Sequence, residues 1–170
     1  QEKHANVDPV VEKLRLEEVL HEAALILPER AEPEVRLAMH NGVSTLSVRA
    51  HRVGLIQVLG NLILNAYESI ERSSAGGGMI ELDACGETID DQYMFRLTIR
   101  YNGAGFDAET RDVILRRGYT SKEGRKGGLG LHWCANAITG MGGRIVADSA
   151  GRGKGAEFHV LLPTAEGDAR

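Results

Sequence analysis

The glycines of this 170-residue chain are concentrated in its second half. Of 21 glycines, thirteen lie at positions 103, 105, 118, 124, 127, 128, 130, 140, 142, 143, 151, 153 and 155. Leucine, isoleucine, valine and phenylalanine are interleaved with them, which argues against a low-complexity linker. Clustered glycine inside a folded domain usually means that the backbone approaches another group closely, and phosphate is the commonest such group. The distribution therefore favours a folded domain that binds a phosphorylated ligand.

Size and charge narrow the class of protein further. A chain of this length suits one compact domain, and its net charge of −4 argues against nucleic acid as a partner. No apolar run approaches the roughly 20 residues of a membrane span, so no membrane contact is predicted for this domain. The first residue is not methionine, which suggests a fragment of a longer protein. Cys85 and Cys134 lie in no metal-binding spacing and suit a reducing compartment or indifference to one.

The apolar periodicity predicts three longer elements of helix, several short strands and one short helix. Asn41-Gly42 is a strong turn signal and predicts that the two strands on either side of it form a hairpin. The order predicts an α/β fold, a two-layer sandwich with a mixed, mainly antiparallel sheet and helices on one face. Helices are expected at 14–27, 51–72, after 106 and at 129–139, and strands at 34–40, 44–49, 79–85, 93–101, 144–149 and 156–162.

The long helix at 51–72 has a polar stripe along one side. Five residues lie at offsets 0, 4, 8, 11 and 15, within about 80° of one another on a helix. They are Gln57, Asn61, Asn65, Glu68 and Arg72. The stripe has two interpretations at this point: the solvated face of an otherwise buried helix, or a binding face. Asparagine is a poor helix former, and its amide oxygen is a good Mg²⁺ ligand, which favours binding.

Two glycine motifs adjoin regular elements. The segment 101–106, Tyr-Asn-Gly-Ala-Gly-Phe, ends a predicted strand, where it is either an ordinary tight turn or a close approach to a ligand. The segment 127–131, Gly-Gly-Leu-Gly-Leu, leads into a helix, whose free N–H groups and dipole make an anion site. Lys122, Arg125 and Lys126 precede it within a polar, glycine-rich stretch, 117–128, that we expect to order around phosphate. A flexible loop entering a helix is the alternative.

Several familiar sites are excluded. The chain contains no P-loop motif, and no two histidines are spaced for zinc on a helix. The segment 151–155, Gly-Arg-Gly-Lys-Gly, lies between two predicted strands, whereas a dinucleotide fingerprint has a helix after it.

Taken in this order, the segments resemble the catalytic, ATP-binding domain of bacterial sensor histidine kinases, in the GHKL superfamily with its Bergerat fold. The resemblance covers roughly residues 14 to 163. Residues 57–66 resemble the asparagine box of that family, 101–106 its first glycine box and 127–131 its second. Residues 119–122 are similar to the segment beside its ATP lid, and 155–163 to its closing strand. The lid lysine and the Asn-Ala-Tyr-Glu-Ser sequence resemble the nitrogen-regulator-like branch.

The resemblance implies a domain at 13–165, preceded at 1–12 by the end of a dimerisation and phosphoacceptor region or a linker. Its implied cofactors are ATP and Mg²⁺, its reaction γ-phosphoryl transfer to an upstream histidine, and its location cytoplasmic. Its implied partners are that phosphoacceptor domain, a response regulator and a second copy of the full-length protein. Asn65 would bind the metal, and Asn61 would be catalytic by positioning phosphate. The implied ATP-binding residues are Asn61, Asn65, Glu68, Tyr101, Gly103, Gly105, Phe106, Lys122, Lys126, Gly128, Leu129, Gly130 and Leu131.

Two departures from the family pattern keep alternatives open. Tyr101 stands where the family has an aspartate that accepts the adenine amino group, and Ala156 stands where threonine is common. Strand alternation predicts that Tyr101 faces inward, toward the base pocket. No phosphoacceptor pattern surrounds His21. The alternatives to a histidine kinase are a degenerate module with impaired ATP binding, acting in regulation or binding another nucleotide, and a kinase of the same fold that acts on serine.

Overall fold

The computed structural model describes residues 10–30, 34–73, 77–116 and 130–164. Within these ranges the chain forms seven strands and four α-helices, with a 3₁₀ turn at Ala24–Ile26. The strands are β1 (Val11–Arg15), β2 (Val35–Met39), β3 (Ser47–His51), β4 (Gly78–Ile89), β5 (Gln92–Tyr101), β6 (Arg144–Asp148) and β7 (Ala156–Pro163). The helices are α1 (Leu16–Ala23), α2 (Arg52–Arg72), α3 (Ala108–Arg111) and α4 (Leu131–Gly140).

Five strands form the main sheet, in the order β2-β4-β5-β7-β6. β2 runs parallel to β4, and the other three pairs are antiparallel. The helices lie on one side of this sheet, as the sequence predicted. The expected fold class, a two-layer α/β sandwich with a mixed, mainly antiparallel sheet, is confirmed.

The two faces of the sheet differ in polarity because side chains alternate along each strand. In β5, Phe95, Leu97 and Ile99 are buried beneath the helices, whereas Arg96 and Arg100 point to the other face. The same alternation holds for β4, β7 and β6. The face under the helices contributes Ile80, Leu82, Ala84, Tyr101, Ile145, Ala147, Phe158, Val160 and Leu162 to the core.

Helix α2 supplies the largest helical share of that core. Its fully buried side chains recur at helical spacing: Leu55, Val58, Leu59, Leu62, Ile63, Ala66 and Ile70. Among the described residues it is the one helix long and apolar enough to cross a membrane, and 56% of that window is buried inside the fold. The sequence-based statement that no apolar run approaches membrane length is therefore corrected for α2. Its apolar side chains pack in the core.

The predicted hairpin across Asn41-Gly42 is wrong. The turn exists, but β2 pairs in parallel with β4, and β3 leaves the main sheet to pair with β1. Gly42 has a φ of +83°, and a Cβ there would collide with the Ala84 carbonyl of β4. The Ala84 N–H also donates to the Asn41 carbonyl, at 3.1 Å. The turn is thus held against the main sheet, so the strand after it pairs elsewhere.

Other boundaries also shifted. Residues 11–15 form strand β1, which the sequence assigned to an upstream linker and to the start of a helix at residue 14. The first helix therefore begins at Leu16, and the 3₁₀ turn follows it. An acidic turn joins β4 and β5, with Asp90 and Asp91 at φ of 51° and 64°. The hairpin around it is longer than expected.

Candidate functional site

The first glycine motif forms a loop from Asn102 to Asp107, which we call the glycine loop. The Met79 N–H donates to Asn102 Oδ1 at 2.6 Å, so the start of the loop is tied to β4. The Ala104 N–H donates to Ser69 Oγ at 3.1 Å. Ser69 is buried on α2, so this bond joins the loop directly to the helix that has the polar stripe.

Gly105 is explained by the contact of this loop with the loop between β6 and β7. Gly105 has a φ of +64°, and a Cβ there would lie 2.5 Å from the Gly151 carbonyl and 2.6 Å from the Gly155 carbonyl. The following residue, Phe106, is buried and packs edge-on to Phe158, with ring centroids 6.3 Å apart. Close packing between two loops therefore requires glycine at 105, in addition to the tight turn or ligand approach that the sequence indicates.

Tyr101 faces inward, as strand alternation predicted. Its side chain is 95% buried, since only 5% is exposed, and its ring stacks on Phe158 with centroids 6.4 Å apart and planes 9° from parallel. Burial raises the pKa of the phenol, against smaller opposing effects of Arg72 and of a hydrogen bond with Ser69. The hydroxyl is therefore neutral throughout the physiological range. An uncharged aromatic side chain fills the position where the resemblance implied a carboxylate.

The polar stripe of α2 is not a uniformly solvated face. Asn61 is only 6% exposed, and its Nδ2 donates to the Gln57 carbonyl at 2.7 Å. This bond fixes the orientation of the amide, with Nδ2 toward the helix backbone. Asn65 and Glu68 are half-buried, while Gln57 is exposed at the beginning of the stripe. The middle of the stripe is thus set into the molecule, which the solvated-face interpretation did not predict.

The second glycine motif is described only at its end. Gly130 is the N-cap of α4, and its carbonyl accepts the first helical bond, from the Cys134 N–H at 3.2 Å. The helix begins at Leu131, slightly later than the sequence predicted, and its first N–H groups have no acceptor within the helix. Helix α2 contacts both β5 and α4, so the helix with the polar stripe adjoins the strand that ends at Tyr101 and the helix that follows Gly130. The predicted residues Lys122, Lys126, Gly128 and Leu129, and the segment 119–122, lie outside the described residues.

A magnesium ion here would depend on amide and phosphate oxygens. In the part of the chain that the structure describes, no group of three His, Cys, Asp or Glu side chains could hold a metal by itself. The half-buried Asn65 is one helical turn from Asn61, and amide oxygens are hard ligands of the kind that Mg²⁺ accepts. Because Mg²⁺ usually binds through one or two protein groups together with substrate phosphates, this donor set fits a metal that arrives with a nucleotide.

A mixed sheet covered on one face by helices, with a recessed asparagine pair, a glycine loop and a helix start on adjoining elements, defines a nucleotide-binding domain. Residues 50–166 match the family described as histidine kinase-, DNA gyrase B- and HSP90-like ATPases. The chain belongs to this family, and its relatives indicate the catalytic ATP-binding domain of a sensor histidine kinase.

The relatives are sensor kinases. The chain is 28% identical over 160 residues to the C4-dicarboxylate transport sensor protein DctB of Pseudomonas aeruginosa, covering 93% of this chain and 25% of that protein. It is 31% identical over 147 residues to the sensor histidine kinase ZraS of Klebsiella oxytoca, covering 86% of this chain and 30% of that one. The chain thus spans between a quarter and a third of the length of these two relatives.

Solved structures agree with this assignment. The catalytic domain of histidine kinase ThkA, in a nucleotide-free form, is 25% identical and superposes with a TM-score of 0.71, covering 91% of this chain and 96% of that one. Full-length ShkA in complex with AMPPNP is 25% identical with a TM-score of 0.74, covering 95% of this chain and 32% of that one. The predicted fold and family are both confirmed.

Three residues of the site were not found from the sequence. Ser69, Asn102 and Ser149 anchor the glycine loop through side-chain oxygens. Asn102 lies inside a motif that was quoted only for its glycines. Ser149 is the last residue of the strand predicted at 144–149, and it precedes the glycine-rich segment 151–155, which does not match a dinucleotide-binding motif.

Proposed function

We propose that this chain binds Mg·ATP and transfers the γ-phosphoryl group to a histidine that lies outside its own sequence. The observation that carries the proposal is the bond from the Ala104 N–H to Ser69 Oγ. It joins the glycine loop to the helix on which Asn61 and Asn65 are set into the fold. Two of the segments that the sequence predicts to bind nucleotide are therefore directly connected, which supports the proposal.

The roles of the residues follow from their chemistry. Asn65 would hold Mg²⁺ through its amide oxygen, and Asn61, with its orientation fixed by the Gln57 carbonyl, would position phosphate. The N–H groups that begin α4, from Leu131 onward, would face phosphate oxygens. The metal supplies neutralisation of phosphate charge when it is bound. Phosphoryl transfer needs mainly positioning and charge stabilisation, which these groups can supply without a covalent intermediate.

The base side of the nucleotide would meet the end of β5. Gly103 and Gly105 would place backbone against the base and ribose, next to Phe106. Glu68 and Leu131 would flank the nucleotide from α2 and α4. We also propose that Lys122, Lys126, Gly128 and Leu129 complete the phosphate site. These assignments follow the resemblance, and substitution of each residue would test its role.

The proposed partners follow from the same family. The relatives are sensor kinases, which dimerise and work with response regulators. For this chain we propose a phosphoacceptor domain of the same protein, joined through residues 1–12, and a response regulator as the final phosphate acceptor. The domain would act in the cytoplasm, without nucleic acid and without its own membrane contact.

Calorimetry with ATP, in magnesium and in EDTA, tests the proposal. We expect micromolar binding of Mg·ATP by the unaltered chain. Asn65→Ala should weaken Mg·ATP binding about tenfold or more, roughly 1.4 kcal/mol, and metal-free ATP binding much less. Gln57→Ala is the matched control, because it removes an exposed amide from the same stripe. No binding at millimolar Mg·ATP would contradict the proposal, and equal losses with and without metal would make Asn65 a structural residue.

A second candidate function is a regulatory module of the same fold with impaired ATP binding. The buried Tyr101 favours it, because the phenol occupies space and offers no carboxylate to the base. The calorimetric experiment separates the two candidates. Millimolar or absent affinity for ATP, with normal folding, would support the module.

A further inference from the structure

We infer that Ser149 is a positioning residue that holds the glycine loop in its nucleotide-binding shape. It acts from the β6–β7 loop, residues 149–155, which includes the Gly-x-Gly-x-Gly segment that fitted no dinucleotide motif. The inference rests on the proposed function, because it concerns the conformation in which the glycine loop would bind a nucleotide.

The hydroxyl of Ser149 is hydrogen-bonded both to the glycine loop and to its own loop. The Phe106 N–H donates to Ser149 Oγ at 3.2 Å, and the Gly151 N–H donates to the same oxygen at 3.1 Å. The hydroxyl itself donates to the Gly155 carbonyl at 2.6 Å. A serine hydroxyl can accept two hydrogen bonds and donate one, so these three bonds use its full capacity. One side chain thus shapes its own loop and fastens the glycine loop to it.

Backbone bonds continue the contact between the two loops. The Gly155 N–H donates to the Gly103 carbonyl at 3.1 Å, and the Gly153 N–H donates to the Ala104 carbonyl. Gly155 has a φ of +73°, and a Cβ there would collide with the Tyr101 carbonyl. The β6–β7 loop is therefore packed against the glycine loop at a distance that only glycine allows.

The glycine loop is held by side chains from two different elements. Ser69 on α2 binds the Ala104 N–H, and Ser149 after β6 binds the Phe106 N–H. Gly105 lies between these two anchors, and glycine has more backbone freedom to lose than any other residue. Without one anchor the loop would sample more conformations, and binding would have to bear the cost of ordering it. Ser149 therefore acts on affinity through the loop and does not itself touch the nucleotide.

Removal of the hydroxyl tests this role, with a matched control elsewhere. Ser149→Ala deletes the anchor, and Ser149→Thr keeps the hydroxyl. Ser73→Ala deletes a hydroxyl that donates to the Ile70 carbonyl at 2.8 Å, at the end of α2 and outside both loops. For each variant, Mg·ATP affinity is measured by calorimetry well below the melting temperature. Amide exchange of residues 103–107 is measured without nucleotide.

We expect Ser149→Ala to weaken Mg·ATP binding about tenfold, the consequence of one lost hydrogen-bond anchor. Exchange at Phe106 should accelerate by a similar factor, while exchange in the core of α2 stays unchanged. Ser149→Thr should restore affinity to within about threefold, and Ser73→Ala should leave it unchanged, whatever either does to the melting temperature.

Unchanged affinity in Ser149→Ala, with a lower melting temperature, would overturn the inference and make Ser149 a purely structural residue. Equal weakening by Ser73→Ala would also overturn it, since the effect would then follow general destabilisation. Failure of the unaltered chain to bind Mg·ATP is a different result. It would contradict the proposed function, and with it any role of Ser149 in affinity.

Discussion

Tyr101 shows how one residue can serve the fold and oppose the expected chemistry. Its ring stacks on Phe158 and adds aromatic area to the core. An aspartate at this position would give up that packing, but it would offer a charged acceptor to an exocyclic amino group. Charge-assisted hydrogen bonds are worth more than neutral ones, about 1.5–3 kcal/mol. Binding and stability are therefore expected to move in opposite directions at this position.

Tyr101→Asp should raise the affinity for ATP about tenfold or more, roughly 1.4 kcal/mol. The apo melting temperature should stay level or fall, because a buried carboxylate costs desolvation and the stacked ring is lost. Calorimetry and thermal unfolding measure the two effects separately. Tyr101→Phe is the control: it keeps the ring without the hydroxyl and should not gain ATP affinity. Equal affinity of the unaltered chain and the aspartate variant would mean that the phenol is itself an effective contact for the base.

Some glycines of this fold lie in close contact with another segment of the chain, and others have open space around them. Gly105 combines a left-handed φ with two carbonyl oxygens within 2.6 Å of the position that a Cβ would take. Gly140, in the last turn of α4, has nothing described within 4 Å of the corresponding position. The pair therefore separates glycine that packing requires from glycine that it does not.

Gly105→Ala should lower the free energy of unfolding by at least about 2 kcal/mol, because the left-handed conformation and the carbonyl contacts both oppose a methyl group. Gly140→Ala should raise it by about 0.5–1 kcal/mol, the usual helix preference for alanine. Urea unfolding of both variants measures the difference. Similar values for the two would mean that the loops separate easily and that their contact is weak.

The polar face of the sheet carries a second feature at the scale of elements. His159 on β7 bonds through Nδ1 to Thr98 Oγ1 at 2.8 Å and through Nε2 to Glu157 Oε1 at 3.2 Å. Burial lowers the pKa of His159, and Arg96 lowers it further, against smaller opposing effects of Glu157 and Asp148. In the neutral ring, Nδ1 accepts from the Thr98 hydroxyl and Nε2–H donates to Glu157.

This depressed pKa predicts how stability depends on pH. In the unfolded chain, His159 takes up its proton near pH 6.5, whereas in the folded chain it does so only at lower pH. Between these two pKa values the unfolded state therefore binds more protons than the folded state. The free energy of unfolding should therefore fall as pH drops below about 6.5, and level off below the folded pKa. His159→Gln should show a smaller fall over this range in urea unfolding at several pH values. The same slope in both chains would remove His159 as the cause.

At the scale of the whole molecule, the proposed phosphoryl transfer needs an acceptor histidine within a phosphoacceptor segment. No such segment is recognisable in this sequence. His21 is exposed on α1, beside Glu22, whose carboxylate pairs with Arg52 at 2.8 Å. Nothing around it in the sequence resembles a phosphoacceptor segment. Under the proposed function, the acceptor histidine would therefore lie outside this sequence.

The 170-residue chain incubated with labelled Mg·ATP should remain unlabelled. Acid-labile, base-stable label on His21 would contradict this. A positive control is binding of the same nucleotide by calorimetry, so that absence of label is not confused with absence of ATP.

Local sequence patterns predicted much of the final structure. The period of apolar residues located α2 and the core strands of the sheet, because burial on one face leaves a regular trace in sequence. The turn at Asp90 and the cap at Asp107 were also predictable, since each depends on a few neighbouring residues; the Thr110 N–H donates to Asp107 Oδ1 at 2.8 Å. The family followed from several weak motifs in one order.

Pairing between distant segments was decided only by tertiary structure. Asn41-Gly42 signals a turn, but nothing local records that β3 pairs with β1 or that β2 runs parallel to β4. The burial of Asn61 depends on the elements packed around α2, and the need for glycine at 105 arises from the carbonyls of Gly151 and Gly155, far along the chain. The sequence by itself determined the family and the type of most elements, with β1 as an exception, because periods and motifs are local. The sheet order and the anchors of the glycine loop came from tertiary packing, because they depend on contacts between segments far apart in the chain.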